Sequence, residues 1–228
     1  MTLTEVARRL NFGGRARRGP GRAGAGRLPP LILVTDAERL PDPLAAVAAL
    51  PKGSAVILRH YELGPAARRA LAGRLARLCR ARGVRLVIAG DAGIARAVGA
   101  DGVHLSEALL RGRVARIGRG RRPGWLVTAA AHTFPALLLA ARRGADAVLL
   151  SPVFPTASHP GAPALGPIRF AALARRSPIP VYALGGIDAG NARRLLGTGA
   201  VGIAGLGGVA PLHGRRRPHA PERRLVML

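Results

Sequence analysis

The chain has 228 residues, 49% of them apolar, and a formal net charge of +25 carried almost wholly by arginine. That length and apolar content suffice for one substantial core, and no apolar run approaches the ~20 residues of a membrane span. The single cysteine, Cys79, excludes an internal disulfide and fits a reducing, cytoplasmic setting. Alanine and glycine are as abundant as arginine is, the skew expected of GC-rich coding. Aromatics make up only 3%, and the arginines are spread along the chain. Specific nucleic-acid binding, which needs clustered basic residues and exposed aromatics for stacking, is therefore not expected.

In chain order, residues 1–28 read as a mostly disordered arm rich in arginine and glycine, in which 4–10 has the pattern of a short helix. The ordered part begins with a buried strand at 31–35, followed by a short helix at 43–50 and a second strand at 55–58. That strand runs into Arg59-His60-Tyr61-Glu62. A helix at 65–82 has Leu71, Leu75 and Leu78 at helical spacing, its arginines on a solvated outer face and Cys79 as core filler. Gly83 ends it before a strand at 85–89.

A helix at 91–98 then leads to a strand at 102–104, and a helix at 106–117 to a strand at 125–128. Ala131-His132-Thr133 opens a helix at 135–142, and the next strand is 147–150. Beyond it the chain reads as helix 168–175, strand 179–184, helix 191–196 and strand 201–204. A basic, proline-containing tail occupies 211–228.

One junction recurs. Val98-Gly-Ala-Asp-Gly-Val-His-Leu-Ser106 and Arg143-Gly-Ala-Asp-Ala-Val-Leu-Leu-Ser151 share a form: helix end, glycine, short buried strand, then polar residues. Thr198-Gly-Ala-Val-Gly-Ile-Ala-Gly205 is a weaker copy. Repeated β/α units of this kind close most naturally into an α/β (β/α)8 TIM barrel, a single domain over 29–210. In such a barrel ligands bind at the carboxyl ends of the strands, so the residues just after each strand are the candidates for chemistry.

Two glycine turns follow the last two strands, Gly185-Gly186 and Gly205 with the glycines after it. Backbone N–H groups there suit a phosphate. His104, His132 and His159 follow three consecutive strands and should meet at one mouth, beside Ser151, Thr156 and Ser158 in a proline-stiffened loop. No close His/Cys/Asp/Glu spacing supports zinc, carboxylate pairs are scarce, and Ser151 lacks a nucleophile-elbow context.

The succession 98–105, Ala131-His132-Thr133, Ser151-Pro-Val-Phe-Pro-Thr156, Gly185-Gly-Ile187 and Asn191 resembles thiamine phosphate synthase and its relative, the thiazole tautomerase (TenI-like) group. The resemblance covers roughly 31–210. It implies the barrel fold and a transferase of thiamine biosynthesis. That enzyme joins an aminopyrimidine methyl diphosphate to a thiazole phosphate and releases pyrophosphate with Mg²⁺ assistance. By position it implies Arg59, Thr156 and Ser158 on pyrophosphate, Gly186 and the backbone of Ala204-Gly205 on the thiazole phosphate, and His104 and His132 at the same mouth.

The sequence departs from that pattern at several points. The family's Asn-Asp-Arg turn is Ala89-Gly90-Asp91 here, so Asp91 fits as a metal ligand only with a one-residue shift. The second magnesium aspartate falls at Ala108-Leu109. A glutamine is replaced by Ile57, lysines by Tyr61 and His159, and a serine by Ala130. Three readings stay open. One is a synthase-like enzyme with a degenerate diphosphate/Mg²⁺ site. Another is a metal-independent isomerase of the tautomerase type, and the last a non-catalytic barrel that binds a phosphorylated ligand. Each has a small phosphorylated heterocycle as its partner, and none needs a membrane.

Overall fold

The computed structural model describes residues 1–13, 28–112, 122, 124–156, 161 and 163–206. Eight parallel strands close into a barrel in sequence order: β1 Leu31–Val34, β2 Ala55–Leu58, β3 Arg85–Ala89, β4 Gly102–Leu105, β5 Leu126–Ala131, β6 Ala147–Leu150, β7 Val181–Leu184 and β8 Gly202–Gly205. Closure is completed by β8 pairing with β1, Ile32 opposite Ala204. The expected (β/α)8 architecture is the one found.

The strands are mostly apolar, rich in Leu, Val, Ile and Ala, because both faces of the sheet are buried. One face fills the lumen with Ile32, Val34, Ile57, Val87, Leu126, Leu149 and Tyr182. The other packs against the helices through Leu33, Leu58, Leu86, Val103, Val127, Val148 and Ile203. Tyr182 is wholly buried in the lumen, and its hydroxyl donates to Pro29 O at 2.7 Å. Gly202 beside it has to be glycine: a Cβ there would lie 2.5 Å from Pro30 O and 2.7 Å from the Tyr182 ring.

The helices are α1 Leu3–Gly13, α2 Pro43–Ala48, α3 Pro65–Arg82, α4 Ala92–Val98, α5 Glu107–Arg111, α6 Phe134–Arg143 and α7 Gly166–Arg176. Gly83, Gly99 and Gly144 end α3, α4 and α6 in the left-handed conformation, which explains the recurring glycine junction. Cys79 is buried core, and that burial pushes its thiol up to about 12.

Several boundaries differ from those read in the sequence. Strand β5 runs to Ala131 rather than stopping at 128, because Ala129, Ala130 and Ala131 pair with Val148, Leu149 and Leu150. Residues 192–195 form a 3-10 turn, not an α-helix. Strand β7 begins only at Val181, after Pro180, which has no N–H to give the ladder. Of the helix expected at 106–117, Glu107–Arg111 is helical and residues 113–117 lie outside the described ones. The most informative difference is at the amino terminus, where part of the supposed arm is α1, with Val6 and Ala7 fully buried.

Candidate active site

The carboxyl ends of β1, β2 and β3 are tied together by side chains. Thr35, fully buried just after β1, has its Oγ1 2.8 Å from His60 Nδ1 and accepts the Arg59 N–H at 3.1 Å. A buried hydroxyl proton needs an acceptor, and His60 Nδ1 is within reach. The satisfied arrangement is Arg59 N–H to Oγ1 and the hydroxyl to a neutral imidazole. Burial also holds His60 below the usual histidine range, against the opposing pull of Glu62 and Asp36. His60 adopts φ +31°, rare for a side-chain-bearing residue and the kind of strain that gathers at ligand sites.

Arg68 holds the same turn from the other side. Its Nε donates to Arg59 O at 3.0 Å, and one terminal nitrogen donates to Leu58 O and Ala89 O. The Arg59 main chain is therefore gripped at both its N–H and its carbonyl. Its side chain is 43% exposed, with the guanidinium 3.9 Å from Asp36 and 5.9 Å from the Tyr61 ring centroid. Arg68 also lies over that ring, at 5.1 Å. The sequence places Arg68 with the other α3 arginines on a solvated face, but the structure buries it, at 8% exposed. The available signal was its spacing, since Arg68 is in line with Ala72, Leu75 and Cys79 on the buried stripe.

Across the mouth, β4 points His104 inward, opposite Thr128 on β5, and Nδ1 to Oγ1 is 2.9 Å. Burial pushes the His104 imidazole down to about 4, and the positive charge of Arg59 adds to the effect. It is neutral at pH 7. His132 follows β5 and is exposed; its Nδ1 lies 2.9 Å from Ser151 O. A carbonyl only accepts, so Nδ1 is the donor in this contact, and the Ser151 hydroxyl lies 3.3 Å from the same nitrogen. The His132 N–H donates to Glu107 Oε2 at 3.1 Å.

The Gly185-Gly186 turn after β7 leans on the loop after β6. Both glycines have positive φ, +99° and +64°. A Cβ on Gly186 would lie 2.3 Å from Pro155 O, so only glycine fits. Asn191 Nδ2 donates to Gly186 O at 2.7 Å, and Phe154 N–H to Gly185 O at 3.1 Å. The carbonyls are thus taken while, among the described residues, neither glycine N–H is. Gly205 ends β8 next to them, following the buried Ala204. Thr156 is half-buried in the β6 loop. Ser158, His159 and residues 207–208 lie outside the described residues.

The residues present do not fit the Mg²⁺ that the resemblance implies. Asp91 caps α4, its Oδ1 accepting Ile94 N–H at 2.8 Å. Gly90 before it offers no ligand, and Tyr61 and Leu109 side-chain atoms stand 3.4–3.5 Å from where its Cβ would be. Glu107 is taken by Arg111 and by the His132 N–H. No three His, Cys, Asp or Glu side chains group to hold a metal among the described residues. No helix there is long and apolar enough to cross a membrane.

A family model described as thiamine monophosphate synthase matches residues 31–209. The thiamine-phosphate synthase of Thiobacillus denitrificans is 38% identical over 193 residues, covering 83% of this chain and 89% of that protein. The thiamine-phosphate synthase of Geobacillus kaustophilus is 33% identical over 165 residues, covering 69% and 73%. Among solved structures, a thiamine phosphate pyrophosphorylase from Pyrococcus furiosus aligns with a TM-score of 0.65 at 27% identity, covering 76% of this chain and 83% of that one.

Proposed function

The chain belongs to the thiamine monophosphate synthase family, and on that premise we propose that it is a transferase of thiamine biosynthesis acting in the cytoplasm. It couples a hydroxymethylpyrimidine diphosphate to a thiazole phosphate. The bond between the pyrimidine methylene carbon and the diphosphate oxygen breaks, pyrophosphate leaves with the electron pair, and the thiazole nitrogen forms the new C–N bond. The observation that carries this reading is the mouth's two anion-binding corners. One is the Gly185-Gly186 turn, with its unused N–H groups and adjoining Gly205. The other is Arg59, in the turn just after β2, with its side chain 43% exposed.

In this reading the glycine corner holds the thiazole phosphate and Arg59 the departing pyrophosphate, which Thr156 of the β6 loop also contacts. Donors fixed in place before reaction lower the barrier where negative charge develops. His104, neutral and tied to Thr128, orients the pyrimidine without adding charge. A second reading, isomerisation of a phosphorylated thiazole, is favoured by two imidazoles, His104 and His132, at adjacent strand ends.

Incubating the full chain with both substrates and measuring thiamine phosphate and pyrophosphate separates the readings. Equal amounts of the two products are expected. Folded protein that turns over thiazole phosphate alone, with no pyrophosphate released, would overturn the synthase reading in favour of the isomerase. Gly186→Val, which drives a side chain into Pro155 O, should weaken thiazole phosphate by more than about tenfold.

A further inference from the structure

Most carboxylates at the carboxyl rim, the exposed Glu38 and Glu62 apart, are already committed to the protein. Asp36 accepts Arg39 N–H at 3.2 Å and faces Arg59. Asp91 caps α4, and Glu107 is shared between Arg111 and the His132 N–H. Asp188 Oδ1 accepts both Gly190 N–H at 2.8 Å and Asn191 N–H at 3.0 Å. Glu62 is exposed and belongs to no group of three possible ligands. A divalent cation shared with a diphosphate needs one or two carboxylates able to reach it. Releasing Asp91 for that purpose would uncap α4, and the space over Gly90 is filled by the Tyr61 ring and Leu109.

The positive charge at this corner comes instead from guanidinium groups on a rigid mount. Thr35 fixes the Arg59 N–H, Arg68 fixes its carbonyl, and Arg68 itself is buried against the ends of β2 and β3. The Tyr61 ring lies against both guanidiniums, which limits where Arg59 can swing. Arginine presents a planar fork of donors suited to phosphate oxygens, and a fixed backbone reduces the ordering cost of using it.

We propose that this mouth binds its diphosphate group without a divalent cation, through Arg59 on a main chain clamped by Thr35 and Arg68, with Tyr61 filling the space beside Gly90. The inference rests on the reading that the mouth handles a diphosphate, and its test reads binding alone, so it can fail while product formation succeeds. Isothermal titration calorimetry of the full chain with inorganic pyrophosphate is run in EDTA and again in excess Mg²⁺. Dissociation constants in the two arms should agree within about threefold, and Arg59→Met should weaken binding about tenfold or more in both. Asp91→Asn, which keeps the helix cap, should change nothing. Should Arg59→Met fail to fold, Arg59→Lys and the wild-type comparison still decide the matter. Binding at least about tenfold tighter with Mg²⁺, no binding in EDTA, or a folded Arg59→Met that binds unchanged each overturns the proposal.

Discussion

His104 concentrates the physics of the mouth in one side chain. Its place on β4 aims it into the lumen, its partner Thr128 is set by strand register, and its surroundings strip water from the ring. Above about pH 6.5 the imidazole is neutral in both the folded and unfolded chain. Between that value and about 4, only the unfolded chain takes up the proton. Stability therefore falls as pH drops through this window and levels off below it, a loss on the order of 3 kcal/mol. His60 acts in the same direction. Urea unfolding at about pH 7.5 and about pH 4.5 should show a shallower decline in His104→Asn than in the wild type. An identical decline in the two proteins would mean that His104 is protonated in the folded state.

At the scale of elements, α1 completes the barrel's outer layer. Its Leu3, Val6, Ala7 and Leu10 join the cluster that includes the outward-facing Ile203 of β8. Asn11 Nδ2 donates to Leu28 O at 3.2 Å and to Val201 O at 3.0 Å, locking the helix to the segments entering β1 and β8. Leu10→Ala should cost about 2–4 kcal/mol through the cavity it leaves. Asn11→Ala should cost about 1–3 kcal/mol because two carbonyls lose their donor. Equilibrium urea unfolding checks both, and changes near zero would show that α1 does not pack on the barrel in solution. This helix was only half legible in the sequence. Its apolar spacing is present but brief, it is followed by arginine and glycine, and its partner Val201 is far along the chain. The barrel strands were legible because each is short and doubly buried, and β3, β4 and β6 each follow a glycine that ends a helix. Local pattern showed His104 and Gly186, and only the family resemblance pointed to Arg59. Arg68 was signalled only by its place on the buried stripe of α3, and nothing local showed that Tyr61 lies over Gly90, since that follows from how the loop after β2 meets the turn after β3.

The whole molecule carries a formal charge of +25, and its electrostatics should make folding and anion binding respond to salt in opposite ways. Ion pairs between described side chains are few: Arg111 with Glu107, and Arg59 with Asp36 at 3.9 Å. With 36 basic residues against 11 acidic ones, like charges far outnumber opposite ones. Self-repulsion of this kind disfavours the compact state. Raising KCl from about 0.02 M to about 0.5 M shortens the screening length from about 20 Å to about 4 Å, which should relieve the repulsion and raise the urea midpoint. The same screening weakens the attraction between Arg59 and a polyanion, so pyrophosphate affinity should fall over that range. A neutral, well-packed barrel would show little of the first effect, and an anion site buried from solvent little of the second. Unfolding and pyrophosphate titrations carried out across one KCl series test the pair together. A urea midpoint that falls with salt would mean that specific ion pairs outweigh self-repulsion. Affinity that holds constant would place the anion deeper than the half-exposed Arg59 side chain allows.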